Sequence, residues 1–383
     1  MNEDPHSEKR EGEKAFAEPL HVGRPNIGDR RKLMARIEGI LDRRWLSNHG
    51  PLVQEFEAKL ADYLGVKHCI PICNGTVALE LAIRALGLEG EVILPSYTFV
   101  ATAHALHWQG IMPVFADIDP ATHNLDPAAV ERRITPRTTG IIGVHVWGRP
   151  CAVAELQAVA DRHGLPLMFD AAHAFGCSHG GRMIGNFGRC EVFSFHATKF
   201  FNTFEGGAIA TNDDELAGKL RLMKNFGFKG FDHVVYPGVN GKMTEVCAAM
   251  GLTGLESLPE FMQVNRRNHE AYREALEGIP GLRLLDFSAV EKCNRQYVVV
   301  EVDAAAYGRT RDEAIQGLHA ENVLARKYFW PGCHRMEPYL TLYPDSGRFL
   351  PRTREIASRV IVLPTGTAVE PGMIRIIGEL LRR

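Results

Sequence analysis

Short apolar runs and helix-spaced segments take turns from His68 to Thr211. The runs "HCIPICNGT", "EVILPS", "MPVFADID", "TGIIGVHVWG", "LPLMFDAAHAFG", "CEVFSF" and "GGAIAT" read as strands, several closed by turn residues. Between the earlier ones lie "VALELAIRALG", "FVATAHALHWQG", "DPAAVERRI" and "AVAELQAVADRHG", whose apolar residues recur at helical spacing. Asp126 followed by Pro127 is a helix entry, an N-cap and then a proline at the first helical position. Repeated strand–helix units of this kind predict an α/β fold with a mainly parallel sheet covered on both faces. In such sheets ligands bind outside the carboxyl ends of the strands.

The texture changes after about residue 250. The helix "EVCAAMGLTGLESL" leads into a longer one, "FMQVNRRNHEAYREALEGI". Beyond it "GLRLLD", "RQYVVVEVD", "TRDEAIQGLHAEN" and "SRVIVLPT" predict a smaller C-terminal α/β domain. The expected organisation is a mobile tail over 1–20, a large domain over 21–250 and a small domain over 251–383. The tail, "MNEDPHSEKREGEKAFAEPL", is charged and lacks the apolar core of a signal peptide.

Composition narrows the partners. Forty-four basic against 46 acidic residues leave a net charge of -2, which exerts no broad pull on nucleic acid or acidic lipid. No run approaches the ~18 apolar residues of a membrane span. Eight cysteines, at 69, 73, 151, 177, 190, 247, 293 and 333, form no CxxC pair and mostly sit in apolar surroundings. They read as small apolar residues of a reducing cytosol, so a cytoplasmic protein is expected.

Chemistry-bearing residues gather where strands end. Gly75 and Thr76 in "PICNGTVALEL" stand at a strand–helix junction, either an ordinary helix start or a seat for phosphate on free backbone amides. Phe99 in "PSYTFVATA" is a core aromatic or a plate for a planar ring. Asp170 ends the run "LMFD", with His173 three residues on; the acid is either a cap or the partner of a protonated ring nitrogen. Ser194 and Lys199 in "SFHATK" offer a hydroxyl and an amine. Such a lysine is a snorkelling surface cation or, if its pKa is lowered, a nucleophile toward a carbonyl. The glycine pair in "FEGGAIATND" allows the backbone a close approach to a ligand.

Taken in that order, these blocks make the chain resemble the DegT-type sugar aminotransferases, from "LSNHGPLVQEFEAKLADYLGVKH" to "RVIVLPT". The resemblance implies the aspartate-aminotransferase fold, fold type I of the PLP-dependent transferases. It implies that Lys199 forms the Schiff base with pyridoxal 5'-phosphate, with pyridoxamine phosphate as the intermediate carrier of the amino group. Asp170 would face the pyridine nitrogen, and His173 would lie beside the phenolic oxygen. Gly75, Thr76 and Ser194 would hold the phosphate, and Phe99 would stack on the ring. The segment "GVNGKMTEVCAAMGL" looks like the one that reaches a neighbouring subunit, with Asn240 on the partner's phosphate, which implies a homodimer with shared sites.

The same resemblance implies L-glutamate as amino donor. "HATKFFNTFEGG" is most similar to enzymes aminating C4 of a dTDP-4-keto-6-deoxyhexose, which serve antibiotic or polysaccharide sugar pathways. His196, Tyr328, Phe329 and His334 could flank the sugar or its diphosphate, the "YFW" cluster reading equally as packing. Three positions depart from the family pattern: His173 stands for Gln, Phe204 for Gly, and Lys242 for an Arg that would grip the donor carboxylate. A lysine supplies a point charge there, not a two-pronged fork.

Rivals remain. A 3-keto-sugar or cyclitol aminotransferase is expected to carry a "GD-x-GA" turn where this chain has "FEGGA", and a pyridoxamine-dependent 3-dehydratase to carry His at position 199. A nucleotide-dependent dehydrogenase would need G-x-G-x-x-G after the first strand, which is missing, as are a P-loop and HExxH. A non-catalytic sugar-nucleotide-binding regulator is disfavoured by the set Asp170, Ser194 and Lys199.

Overall fold

The computed structural model of the chain describes residues 14–383. The first thirteen residues of the expected tail lie outside the described residues. Its remainder is not loose, a correction to that expectation. Phe16 and Leu20 are buried in the C-terminal core, and Lys14 donates to Asn322 at 2.9 Å. The short strand β1 (Leu20–His21) runs parallel to β13 (Val323–Leu324). Apolar burial, strand pairing and the Asn322 contacts together tie the segment down.

Among the described residues seven strands build the large sheet: β2 (His68–Ile72), β3 (Glu91–Pro95), β4 (Met112–Ala116), β5 (Thr138–Val144), β6 (Leu167–Asp170), β9 (Glu191–Ser194) and β10 (Gly207–Thr211). A hairpin of β7 (Ser178–His179) and β8 (Arg182–Met183) lies between β6 and β9 in sequence. The spatial order is β2-β10-β9-β6-β5-β3-β4. Four of the pairings are parallel, whereas β10 runs antiparallel to both its neighbours. Strands β3 and β6 are buried along their whole length, as near-continuous apolar runs in a doubly covered sheet should be.

One edge of this sheet collects the chemistry. Because β3, β5, β6 and β9 are parallel, Pro95, Val144, Asp170 and Ser194 all end at the same side. Gly207, which starts the reversed strand, pairs with both Ser194 and Ile72, so the end of β2 arrives there too.

Helices α1 (Arg30–Arg43) and α2 (Pro51–Leu64) precede the sheet. Buried Val53, Phe56, Leu60 and Leu64 form one stripe of α2, and Gly65 ends it at φ +64°. α3 (Gly75–Ala85) and α4 (Ala101–His107) leave the chemical edge, while α5 (Pro127–Glu131), α6 (Val153–His163) and α7 (Asp214–Met223) cover the flanks. Asp126 caps α5 as expected, accepting from Ala128 N–H at 2.9 Å.

The two helices read after Glu245 are one. α8 (Glu245–Leu276) runs 32 residues without a break, with Pro259 inside it. Its leading half packs on α1 and α2, its trailing half on the C-terminal helix Pro371–Arg382. Burial of one stripe along the whole rod outweighs the amide that Pro259 lacks. The expected boundary at residue 250 therefore falls within a rigid rod. Beyond it β11 (Leu282–Leu284), β12 (Val298–Val302) and β14 (Val360–Leu363) form an antiparallel three-stranded sheet over a separate apolar core. No helix among the described residues is long and apolar enough to cross a membrane.

Candidate active site

A cavity of about 600 Å³ opens at the shared strand edge. Gly75, Thr76, Phe99, Asp170, His173, Ser194, His196, Lys199, Tyr328 and Phe329 line it. The C-terminal sheet closes it with Tyr297, at the start of β12.

Its floor is a helix end able to seat an anion. Asn74 caps α3 by accepting from Val77 N–H at 2.8 Å. The amides of Gly75 and Thr76, at the first two helical positions, have no carbonyl partner inside the helix and sit at the positive end of its dipole. A Cβ at Gly75 would stand 2.9 Å from the Cβ of Ser194, so only glycine lets this helix end meet that hydroxyl. Phe99 stands just before α4, and although large and apolar it is 59% exposed, presenting its side chain to the cavity.

Asp170 ends β6 and is 5% exposed. Thr102 Oγ1 donates to its Oδ2 at 2.8 Å, and Ala172 N–H to its Oδ1 at 3.0 Å. Burial pushes this carboxyl above the ordinary range, against the pull of those donors and of Lys199. Lys199 lies in the turn after β9, its Nζ donating to Tyr297 Oη at 3.4 Å. Burial drives its pKa down to about 8, partly opposed by Asp170 and Tyr328. A lysine so placed is a substantially neutral amine near pH 8, fit to attack a carbonyl and then to carry protons.

His173 is buried between aromatic rings. Phe329 stacks on it with centroids 5.7 Å apart, and Tyr297 tilts against it at 4.7 Å. Burial, aided by Lys199, holds its pKa well below the usual imidazole value, so the ring is neutral. His196 faces Glu205 across the cavity mouth at 3.5 Å. Phe204, where the family pattern has glycine, takes φ +62°, the left-handed conformation that glycine enters freely.

Three expected site residues do not line this cavity. His334 turns away from it. Its Nδ1 meets Ser96 Oγ at 2.7 Å, which pins the 333–335 turn to the end of β3, and burial lowers its pKa to about 4. Asn240 and Lys242 follow an exposed loop. Lys242 sits over the Phe226 ring at 4.7 Å and borders a separate small cavity with His49, Arg221 and Lys224. Asn240 bridges to Asn225 and is exposed.

Sequence reasoning passed over Thr102, Tyr297 and Glu205. Thr102 had a signal, since it falls in the first turn of the helix that follows Phe99 and so starts at the same strand edge. Tyr297 had none, because nothing local tells that the start of a C-terminal strand abuts Lys199.

The family model for "DegT/DnrJ/EryC1/StrS aminotransferase family" matches residues 28–382. The chain is 38% identical over 364 residues to a dTDP-4-amino-4,6-dideoxy-D-glucose transaminase of Shigella dysenteriae, covering 95% of this chain and 98% of that protein. It is also 38% identical over 309 residues to a GDP-perosamine synthase of Caulobacter vibrioides, covering 80% and 83%. Among solved structures it is similar to DesI, crystallised in the presence of its TDP-sugar product, with 52% identity, a TM-score of 0.91 and coverage of 96% and 93%.

Proposed function

This chain belongs to the DegT/DnrJ/EryC1/StrS aminotransferase family, and we propose that it moves the amino group of L-glutamate to the C4 ketone of a nucleotide-linked sugar, dTDP-4-keto-6-deoxy-D-glucose, using pyridoxal phosphate. The observation that carries the reading is the convergence of Lys199, Asp170 and the α3 anion seat on one cavity. The curated relative named for an amine at C4, and the DesI structure with its TDP-sugar product, support the position and the nucleotide.

The residues suit the cofactor. Ser194 and the Gly75 and Thr76 amides would hold its phosphate, Phe99 would cover one face of its ring, and Asp170 would meet its ring nitrogen. When bound, the cofactor supplies an electron sink for the carbon that loses its proton. Every other step falls to the chain. Lys199 Nζ would hold the cofactor through its aldehyde carbon, with loss of water, and once freed by the incoming amine would be the group that carries the proton away from the donor carbon. A cation placed against Asp170 restores the charge that burial disfavours. His173, neutral, can donate one hydrogen bond without adding charge. His196, Glu205 and Tyr328 border the open side, where a sugar diphosphate would lie, and Lys242, which borders a separate cavity in its own chain, would meet a glutamate carboxylate as a point charge only in a partner's site.

A homodimer with shared sites fits the surface. Phe226, Phe231, Val234 and Val239 are exposed on the loop before Asn240, and Phe231 is 98% exposed. Apolar side chains grouped in this way mark an interface. In mixtures of Lys199→Ala and Asn240→Ala protein, hybrid dimers would keep one intact site, so about a quarter of wild-type activity is expected at full exchange. Exchange without recovery would remove Asn240 from a partner's site. A cytoplasmic setting fits the eight free thiols.

The test of the reading is covalent trapping. Borohydride reduction after soaking with pyridoxal phosphate should leave the label on Lys199 in the mapped peptides. Uptake by the cofactor-free protein should quicken about tenfold per pH unit up to about 8, the pKa of this amine, and then level off. Label on another residue, or on none, would end the assignment.

A further inference from the structure

Trp147 follows β5, in the stretch "VHVWGRP", and is fully buried. Its backbone stands at φ +64° and ψ 5°, a left-handed conformation rarely taken by a bulky residue. Such outliers persist only where the surroundings hold them, and they gather at functional sites. Here the unusual backbone aims the Trp147 N–H at Nδ1 of His173, 3.3 Å away. An imidazole nitrogen that accepts a hydrogen bond carries no proton, so the proton of neutral His173 sits on Nε2.

The indole is anchored on its other side. Its Nε1–H donates to Nδ1 of buried His123 at 3.1 Å, and His123 Nε2 then donates to Glu301 Oε1 at 3.0 Å. Glu301 is held in turn by Arg283 and lies 3.4 Å from Arg359. The Trp147 ring stacks within 19° of the His173 plane and within 12° of Phe329.

We infer that Trp147, held by the His123–Glu301 pair, is a positioning residue that fixes His173 as a neutral Nε2–H donor toward the cofactor. The inference rests on the proposed function for what the donor meets, but not for the tautomer itself. Partners behind a donor histidine commonly set its tautomer and ring orientation, as they do for metal-bound histidines. The charged groups around the chain of contacts are Lys199 beside His173, and Glu301, Arg149 and Arg283 beside His123. Neither ring needs a charge in this arrangement.

Histidine-selective ¹⁵N labelling reads the tautomer in the cofactor-free protein. Wild type should show His173 as a single Nε2–H species between pH 6 and 8. Trp147→Phe keeps a ring but loses the indole N–H, and His123→Phe removes the acceptor of the same bond. Each should introduce the Nδ1–H tautomer, shift the absorption band of bound pyridoxal phosphate and lower kcat about tenfold, with KM for glutamate within about twofold. The double variant should do no more than either alone, because both cut one contact. A wild-type His173 that titrates near 6.5, or that is protonated on Nδ1, overturns the inference. So does a fall in kcat in either variant with tautomer and band unchanged. If the tautomer is as stated but pyridoxal phosphate is not bound, it is the functional reading that falls.

Discussion

Lys199→Ala should lower transamination by about 10⁴-fold or more while leaving the fold standing. Among the described residues no other lysine lines the cavity, so none stands ready to replace the nucleophile or the proton carrier. The fold should tolerate the change because the native lysine is under strain. Burial lowers its pKa to about 8, so the folded state sheds a proton that the unfolded chain keeps up to about 10.4. Stability contributed by this site therefore rises with pH between those values, and the cost of the buried ammonium is greatest below about 8. Lys199→Met, which keeps the apolar stem, should melt above wild type at pH 7, and the gain should vanish as pH nears 10. The cofactor-free proteins are the ones to compare, by calorimetry across that range. Wild-type turnover in the alanine variant would dismiss Lys199, and a melting difference that grows with pH would dismiss the account of its burial.

Asp170→Asn should lower the rate by about 10²–10³-fold with little change in glutamate KM, the scale expected when a preorganised electrostatic partner is removed. Asparagine matches the shape: its one carbonyl oxygen can accept from Ala172 N–H, and its amide can donate to Thr102 Oγ1, a hydroxyl that accepts as well as donates, so the main loss is one of charge. The stability sign again runs opposite to function. The folded-state pKa of Asp170 is raised by burial, so the native state holds its proton more tightly than the unfolded chain does. The ionised form costs stability above that pKa, and the cost disappears as pH falls below the ordinary carboxylate range near 4. Asp170→Asn should thus stabilise the cofactor-free protein at neutral pH and lose that advantage in acid. The double variant with Lys199→Met should gain more than the sum, since each single variant also forfeits the attraction between the two charges and leaves the other buried alone. Unchanged kinetics in Asp170→Asn would strip the residue of its role.

Both variants put the site on the side of the ledger where function and stability conflict. Two desolvated charges are held in one cavity although burial disfavours each of them. Their cost is met by the buried strands beneath them, which do not depend on the residues at their ends.

Much of this was legible in the chain. Alternating apolar runs and helical spacing located all seven strands of the large sheet, and the residue types at their ends named the amine, the acid and the anion seat. Helix continuity was not legible. Pro259 reads as a break between two helices, but α8 passes through it because its buried stripe continues from Gly254 and Leu258 to Phe261 and Asn265. The tail also misled, since its charged beginning hid the buried Phe16 and Leu20.

Local periodicity determined which segments are strands and which side chains stand at their carboxyl ends. Only the tertiary structure decided that those ends share one edge, that β10 reverses to bring β2 among them, and that Tyr297, Tyr328 and Phe329 close the cavity from the C-terminal part of the chain while His334 turns away. The reason is one of range. A side chain's alternation is set by its immediate neighbours, whereas its destination is set by pairings between segments far apart in the chain, which nothing short-range encodes.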